Sequence, residues 1–155
     1  MIDQLRFSVP TALAMATGVA GTLDLGYALV TSGFRGVPAL VLLQSVASGL
    51  IGKSSFQGGI KTAILGAALH YTIMASFVIA YYLLSRRFPL LHQRPLSCGP
   101  LWGLGVFAVM NYLVVPLSAI GHLIHRSPAS LAGELFSHIV FVGLTIAWFV
   151  SRTRL

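Results

Sequence analysis

The sequence predicts an all-α protein, a polytopic membrane four-helix bundle with a short interfacial or re-entrant helix between the first and second spans. Of its 155 residues, 56% are hydrophobic and 8% are charged, and the mean hydropathy is +0.87. A soluble domain carries about 25% charged residues. A chain of this composition could not cover a water-facing surface, so the sequence indicates an integral membrane protein.

Four apolar stretches are long enough to cross a bilayer, which takes about 20 mostly apolar residues. The predicted spans are residues 9–31, 61–84, 99–120 and 131–150. Pro116 should kink or loosen the last turn of the third span. No soluble appendage is apparent, so residues 1–155 are predicted to form a single integral membrane domain.

The stretch 37–51 is apolar but shorter than a full span. It opens with Pro38, which suits a first helical turn, and it carries Gln44, Ser45 and Ser48 on one side. These features favour an interfacial or re-entrant helix. A full crossing would instead give five spans and place the amino terminus outside.

The basic residues gather at span ends, where they contact anionic headgroups and set orientation. With four spans, one side carries Arg6, Arg86, Arg87, Arg94, Arg152 and Arg154, and the other carries Arg35, Lys53, Lys61 and Arg126. The excess on the first side favours two cytoplasmic termini. The bilayer is therefore the expected partner of these charges. Nucleic-acid binding is not predicted, since no basic run is interleaved with exposed aromatic residues.

Four polar residues lie within the spans, and laying the spans antiparallel places them at similar depth. They are Asp24, His70, Asn111 and His138, and the comparison uses a rise of about 1.5 Å per residue. Residues of this type are costly in hydrocarbon and usually face a protein interior or a water pocket. The sequence therefore predicts a shared intramembrane polar cluster.

Glu134 lies one helical turn from His138 and extends this cluster, while Gln44 and Ser48 are expected to lie on its access route from the outer side. Two acids and two histidines could bind or conduct a proton, a cation or a small polar ligand. If His70 and His138 face each other beside Asp24, at least one of them is expected to be held by a carboxylate and to be slow to lose its proton, because a nearby carboxylate raises the pKa of a histidine. The alternative is a structural role, in which interhelical hydrogen bonds only hold the bundle together, as in an accessory or structural subunit of a larger membrane complex.

A metal or haem site is the second alternative. His70 and His138 could supply two facing imidazoles for a non-covalent b-type haem, because the chain has no Cys-x-x-Cys-His motif. A divalent metal could bind the same histidines with Asp24 and Glu134. Neither group is required by the sequence, and the one cysteine, Cys98, excludes an internal disulfide.

Enzyme motifs are absent: the sequence has no Gly-x-Ser-x-Gly, no His-Glu-x-x-His and no phosphate-binding glycine loop. Ser137 directly precedes His138, but adjacent helical residues point about 100° apart. This geometry argues against a catalytic dyad, and no catalytic residue is assigned.

Small residues recur at every fourth position in two spans, which lets helix backbones approach closely. They are the pair Gly99 and Gly103, and the series Ala14, Gly18 and Thr22. Such faces serve contacts inside the chain or between copies. Because four short helices enclose little volume, a homo-oligomer or a membrane-protein partner is expected.

Three segments carry a resemblance to a known group of proteins. They are LLQSVASGLIGKSSFQGG (42–59), LGAALHYTI (65–73) and MNYLVVPLSA (110–119). Together they resemble uncharacterised small four-helix bacterial inner-membrane proteins, distantly similar to the YagU-like group. The resemblance covers about half of the chain. It implies a bacterial inner-membrane setting and no particular chemistry.

Overall fold

The computed structural model describes residues 6–122 and 127–153, and within them every long element is helical. The helices are α1 (Val9–Phe34), α2 (Ala39–Ile51), α3 (Gly59–Arg87), α4 (Pro89–Gln93), α5 (Pro95–Leu117) and α6 (Pro128–Val150). A 3₁₀ segment, Gly52–Gln57, joins α2 to α3. Two of the orientation-setting residues, Arg126 and Arg154, lie outside the described residues.

Five helical segments of the described chain are long and apolar enough to cross a membrane. Four of them, α1, α3, α5 and α6, correspond to the stretches that the sequence marked as spans. The fifth combines α2 with the 3₁₀ segment as Ala39–Gln57, a length of 19 residues. The chain is thus a helical protein of membrane-spanning dimensions, and its count of four crossings stays a prediction.

Helix starts follow local capping chemistry. The Ser8 side chain accepts a hydrogen bond from the backbone N–H of Thr11 at the start of α1, and the Ser127 side chain accepts one from Ser130 at the start of α6. A capping hydroxyl satisfies one of the orphan N–H groups of the first turn. Pro128 follows directly and suits the first helical position, where no N–H is needed.

Each of the last two long helices contains a wider, π-helical stretch. It covers Met110–Val114 in α5 and His138–Leu144 in α6. In α5 the stretch ends just before Pro116, whose missing N–H and bulky ring disfavour a regular α-helical turn. The helix ends one residue after that proline, at Leu117.

Glycines bring α5 and α6 into backbone contact. A Cβ at Gly103 would collide with the carbonyl of His138, and a Cβ at Gly143 would collide with the carbonyl of Gly99. The Gly99 and Gly103 pair therefore packs inside the chain, with Gly143 as the partner that the sequence did not reveal. Gly18, by contrast, has no heavy atom within 4 Å of its Cβ position.

A similar close approach joins α2 to α3. A Cβ at Gly66 would overlap the backbone carbonyl of Leu43. Because glycine has no side chain at the crossing, the two helices can touch along their backbones. The adjacent Ala47 and Ala63 are buried at 0% and 1% exposure, which keeps this contact narrow.

The two ends of the bundle are closed by different contacts. At one end, here the terminal end, the N–H of Phe7 donates to the carbonyl of Arg152 at 2.9 Å, and Thr153 Oγ1 lies 3.4 Å from His92 Nε2. Burial lowers the pKa of the His92 imidazole, which favours its neutral form. At the other end, here the distal end, Arg35 Nη1 donates to Ser130 Oγ at 2.6 Å.

The glycine contact between α5 and α6 should be intolerant of a single methyl group. We expect Gly103→Ala to lower the free energy of unfolding by about 1–3 kcal/mol, the usual cost of overpacking. The matched control is Gly105→Ala on the same helix, because its Cβ would meet nothing within 4 Å. Unfolding by SDS titration in micelles, followed by circular dichroism, measures both. Equal stabilities of the two variants would contradict the packing.

Candidate functional site

Asp24 is held on α1 by a hydroxyl from α6. Ser137 Oγ donates to Asp24 Oδ1 at 2.7 Å, and Ser137 itself is 1% exposed. In the part of the chain that the structure describes, Asp24 forms no ion pair with a basic side chain. Its carboxylate therefore accepts a hydrogen bond from a neutral donor and keeps further acceptor capacity.

Asn111 and Glu134 form a second polar contact, between α5 and α6. Asn111 Nδ2 donates to Glu134 Oε1 at 3.3 Å and to the carbonyl of Phe107 in its own helix at 3.0 Å. Asn111 is buried, with 8% exposure, and it lies inside the π-helical stretch of α5. The amide thus fixes the carboxylate of the neighbouring helix.

The two histidines bond to backbone carbonyls. His70 Nε2 lies 2.9 Å from the carbonyl oxygen of Gly21 on α1, and His138 Nδ1 lies 2.9 Å from the carbonyl oxygen of Glu134 in its own helix. Because a carbonyl only accepts, each of these ring nitrogens is the donor. The expectation that a carboxylate holds one of the histidines is not met by these bonds.

One cavity, here the polar cavity, brings the predicted cluster together. Its volume is about 590 Å³, and Asp24, His70, Asn111, Glu134 and His138 all line it. Its remaining wall is largely apolar and includes Leu25, Leu42, Val46, Met74, Phe77, Val106, Met110 and Val142. The cavity therefore combines several hydrogen-bonding and charged groups with a hydrophobic surface.

Arg35 lines the polar cavity at the distal end, where Ser32, Ser127 and Ser130 also line it. Arg35 Nη1 donates to Ser130 Oγ at 2.6 Å, and Arg35 Nη2 donates to Ser32 Oγ at 3.2 Å. Arg35 follows Asp24 by eleven residues, which is about 16 Å along a helix. The guanidinium is thus held at the distal edge of the cavity and away from the carboxylate of Asp24.

Gln44 and Ser48 lie apart from the residues that line the polar cavity. Gln44 Nε2 donates to the carbonyl of Gly59 at 3.0 Å and to Thr62 Oγ1 at 3.3 Å, while Ser48 Oγ donates to the carbonyl of Ser45 at 2.6 Å. On α2 it is Leu42 and Val46 that face the cavity. Successive residues of a helix point about 100° apart, so the polar face of α2 turns to α3 and the apolar face to the cavity.

Sequence reasoning missed the role of Ser137. The sequence offers Ser137 only as a neighbour of His138, whereas in the structure its hydroxyl donates to the carboxylate of Asp24. Its position one turn after Glu134 was the available signal, because residues three apart share a helix face. The π-helical stretches that begin at Met110 and His138 could not be foreseen from a regular helical period, although such stretches are frequent at functional sites.

Metal ligation is not prearranged in the described part of the chain. Residues 6–122 and 127–153 contain no group of three or more His, Cys, Asp or Glu side chains placed to hold a metal ion. His70 and His138 line the same cavity, and one nitrogen of each ring donates to a carbonyl oxygen, which leaves the other nitrogen as the potential ligand.

Comparisons with known proteins do not identify a family for this chain. No protein-family profile matches the chain, and neither the curated proteins nor the solved structures include a significant match. The chemistry of the site must therefore be argued from its own residues.

The bond between Ser137 and Asp24 should couple α1 to α6 energetically. A double-mutant cycle of Ser137→Ala with Asp24→Ala is expected to give a coupling energy of about 0.6 kcal/mol, the average for hydrogen bonds between membrane helices, and at most about 1.7 kcal/mol. The control cycle pairs Asp24→Ala with Ser76→Ala, since Ser76 Oγ bonds the carbonyl of Thr72 in its own helix. Unfolding titrations supply the energies. Additivity in both cycles would show that the bond does not form.

Proposed function

We propose that this protein is a small multi-pass membrane protein that binds, or conducts, a proton, a cation or a small polar ligand in the polar cavity. The observation that carries the proposal is the convergence of Asp24, Glu134, His70, His138 and Asn111 on one cavity of about 590 Å³. Ligand pockets are typically 300–1,000 Å³, mostly apolar, with a few placed polar groups. The polar cavity matches this description in size and in kind.

The charge distribution supports a functional site. The chain has ten basic and three acidic residues, and two of those acids, Asp24 and Glu134, line the same cavity. A carboxylate within a span is costly and usually marks a substrate or ion pathway. Two of only three acidic residues therefore lie at one cavity and not on the water-facing surface, which supports a role for them in binding.

A structural role is the second candidate, because specific bonds favour it. Ser137 links α6 to Asp24 on α1, and Asn111 links α5 to Glu134 on α6. Such bonds would also hold the bundle of an accessory subunit together. A bond that serves only as structural glue does not require a cavity, however, and here both carboxylates line one.

We further propose that four helices cross the membrane and that α2 returns to the side on which it starts. The bond from Arg35 to Ser130 joins the end of α1 to the start of α6 at the distal end. The C-terminal part of α2 is tied to the end of α5, since the N–H of Ala119 donates to the carbonyl of Gly49 at 2.9 Å. The 13 residues of α2 span about 20 Å, less than a hydrocarbon core of about 30 Å.

The setting and the assembly belong to the same proposal. A bacterial inner membrane follows from the resemblance to YagU-like proteins, and cytoplasmic termini follow from the excess of arginine at the terminal end. Assembly into a homo-oligomer, or with a membrane-protein partner, is supported by exposed small residues on α1: Ala14, Gly18 and Thr22 all remain exposed on the single chain. Mass determination of the detergent-extracted protein tests the oligomeric state.

The four-span topology predicts which positions share a side of the membrane. In a Cys98→Ala background, Ser54→Cys and Ser127→Cys should both react with an impermeant maleimide added to one face of sealed vesicles. Gln93→Cys, on α4 at the terminal end, should react from the opposite face. Ser54, Gln93 and Ser127 are all exposed. Labelling of positions 54 and 127 from opposite faces would mean that α2 crosses.

Asp24 separates the binding role from the structural role. Asp24→Asn removes the charge but keeps an oxygen that can accept the Ser137 bond, so we expect the bundle to stay folded and a bound ligand to be lost. Native mass spectrometry of protein extracted in mild detergent follows the ligand as a mass adduct. Asp3→Asn alters the net charge equally, outside the described residues, and should keep the adduct.

The structural role makes the opposite prediction for the same position. In that case Asp24→Asn leaves the free energy of unfolding nearly unchanged. Asp24→Leu lowers it by about 1–3 kcal/mol, because the buried Ser137 hydroxyl loses its hydrogen-bond acceptor. Wild-type protein without an adduct, together with this pattern of stabilities, would overturn the binding role.

A further inference from the structure

The polar cavity carries information about the charge of its ligand. Asp24 faces it with no basic partner among residues 6–122 and 127–153, and its one hydrogen bond comes from the neutral hydroxyl of Ser137. A charge away from water is stable only when it is paired and hydrogen-bonded. The Asp24 carboxylate therefore has a hydrogen bond but lacks a counter-charge from the described protein.

The nearest cation that lines the cavity does not supply this counter-charge. Arg35 follows Asp24 by eleven residues, and its guanidinium is bonded to the hydroxyls of Ser130 and Ser32. In the described chain it forms no ion pair with Asp24. The counter-charge for Asp24 is best supplied by whatever occupies the cavity.

The apolar wall adds a second requirement. Met74, Phe77, Val106 and Val142 line the same cavity as the carboxylates, so a small hydrated metal ion would leave most of this surface against water. The described chain also lacks a group of three metal-ligating side chains. An occupant with a hydrophobic body satisfies the wall. Phe77 and Tyr27 also line the cavity, and the face of an aromatic ring attracts a cation.

We propose that the ligand of the polar cavity is a hydrophobic organic cation, whose positive charge pairs with Asp24 and whose apolar body packs on Met74, Phe77 and Val142. This inference rests on the proposed binding function and narrows it to one ligand class. An organic anion would face the carboxylate of Asp24. A neutral apolar ligand would leave the Asp24 charge without a partner.

The test compares three compounds of similar shape and different charge on the purified full-length protein in nanodiscs. The ligands are radiolabelled tetraphenylphosphonium, a hydrophobic cation, tetraphenylborate, an anion, and triphenylphosphine oxide, which is neutral. Each is measured in its own binding experiment, because the cation and the anion precipitate together as a salt. We expect saturable binding of the cation alone, and binding of either other compound with an affinity equal to that of the cation would overturn the proposal.

Variants connect the binding to its proposed partner. We expect Asp24→Asn to weaken binding of the cation at least about tenfold, as for the loss of one partner of a desolvated charge pair, and Asp3→Asn to leave it unchanged. Glu134→Gln is a second variant should Asp24→Asn fail to fold, and it should also weaken binding. Unchanged affinity in both cavity variants would overturn the proposal.

The outcomes also separate this inference from the broader binding role. Saturable binding of the anion or of the neutral compound, with no dependence on Asp24, would leave a ligand-binding cavity but exclude the cation class. No binding of any compound would overturn the cation proposal as well. The adduct found by native mass spectrometry then decides separately whether the cavity binds a ligand at all.

Discussion

The cost of placing charged and hydrogen-bonding side chains in hydrocarbon governs the arrangement of this protein. Asp24, Asn111 and Glu134 belong to three helices, and each of them faces the same cavity rather than lipid. Polar side chains within a span are stable when they face a protein interior or one another. The bonds from Ser137 to Asp24 and from Asn111 to Glu134 follow from this constraint and determine which faces of α1, α5 and α6 meet.

Close backbone packing is what allows a cavity to exist in so short a chain. Gly99, Gly103 and Gly143 bring α5 and α6 into contact, and near the terminal end Val78, Tyr81 and Ile146 are fully buried. The polar cavity lies among these helices, since α1, α3, α5 and α6 all supply residues that line it. The chain therefore combines close backbone contacts with a cavity inside one bundle.

The helix α2 completes the site without contributing polar groups to it. Its amide Gln44 fastens it to the start of α3, and its apolar residues Leu42 and Val46 form part of the cavity wall. The backbone contact at Gly66 holds α2 against α3, so that these two apolar side chains stay at the cavity.

The sequence by itself determined the helical class, the membrane-spanning lengths and the candidate polar residues, because hydrophobic length and the cost of intramembrane charge are local properties of a stretch. It also predicted a common depth for Asp24, His70, Asn111 and His138, since helical rise converts sequence distance into depth. Only the tertiary structure decided which groups meet. Asp24 accepts a hydrogen bond from Ser137 and not from a histidine, and both histidines bond to backbone carbonyls. Gly143 lies against Gly99. All of these contacts depend on how the helices are rotated about their axes. That rotation is set by side-chain packing and by the π-helical stretches of α5 and α6, which a regular helical period does not encode.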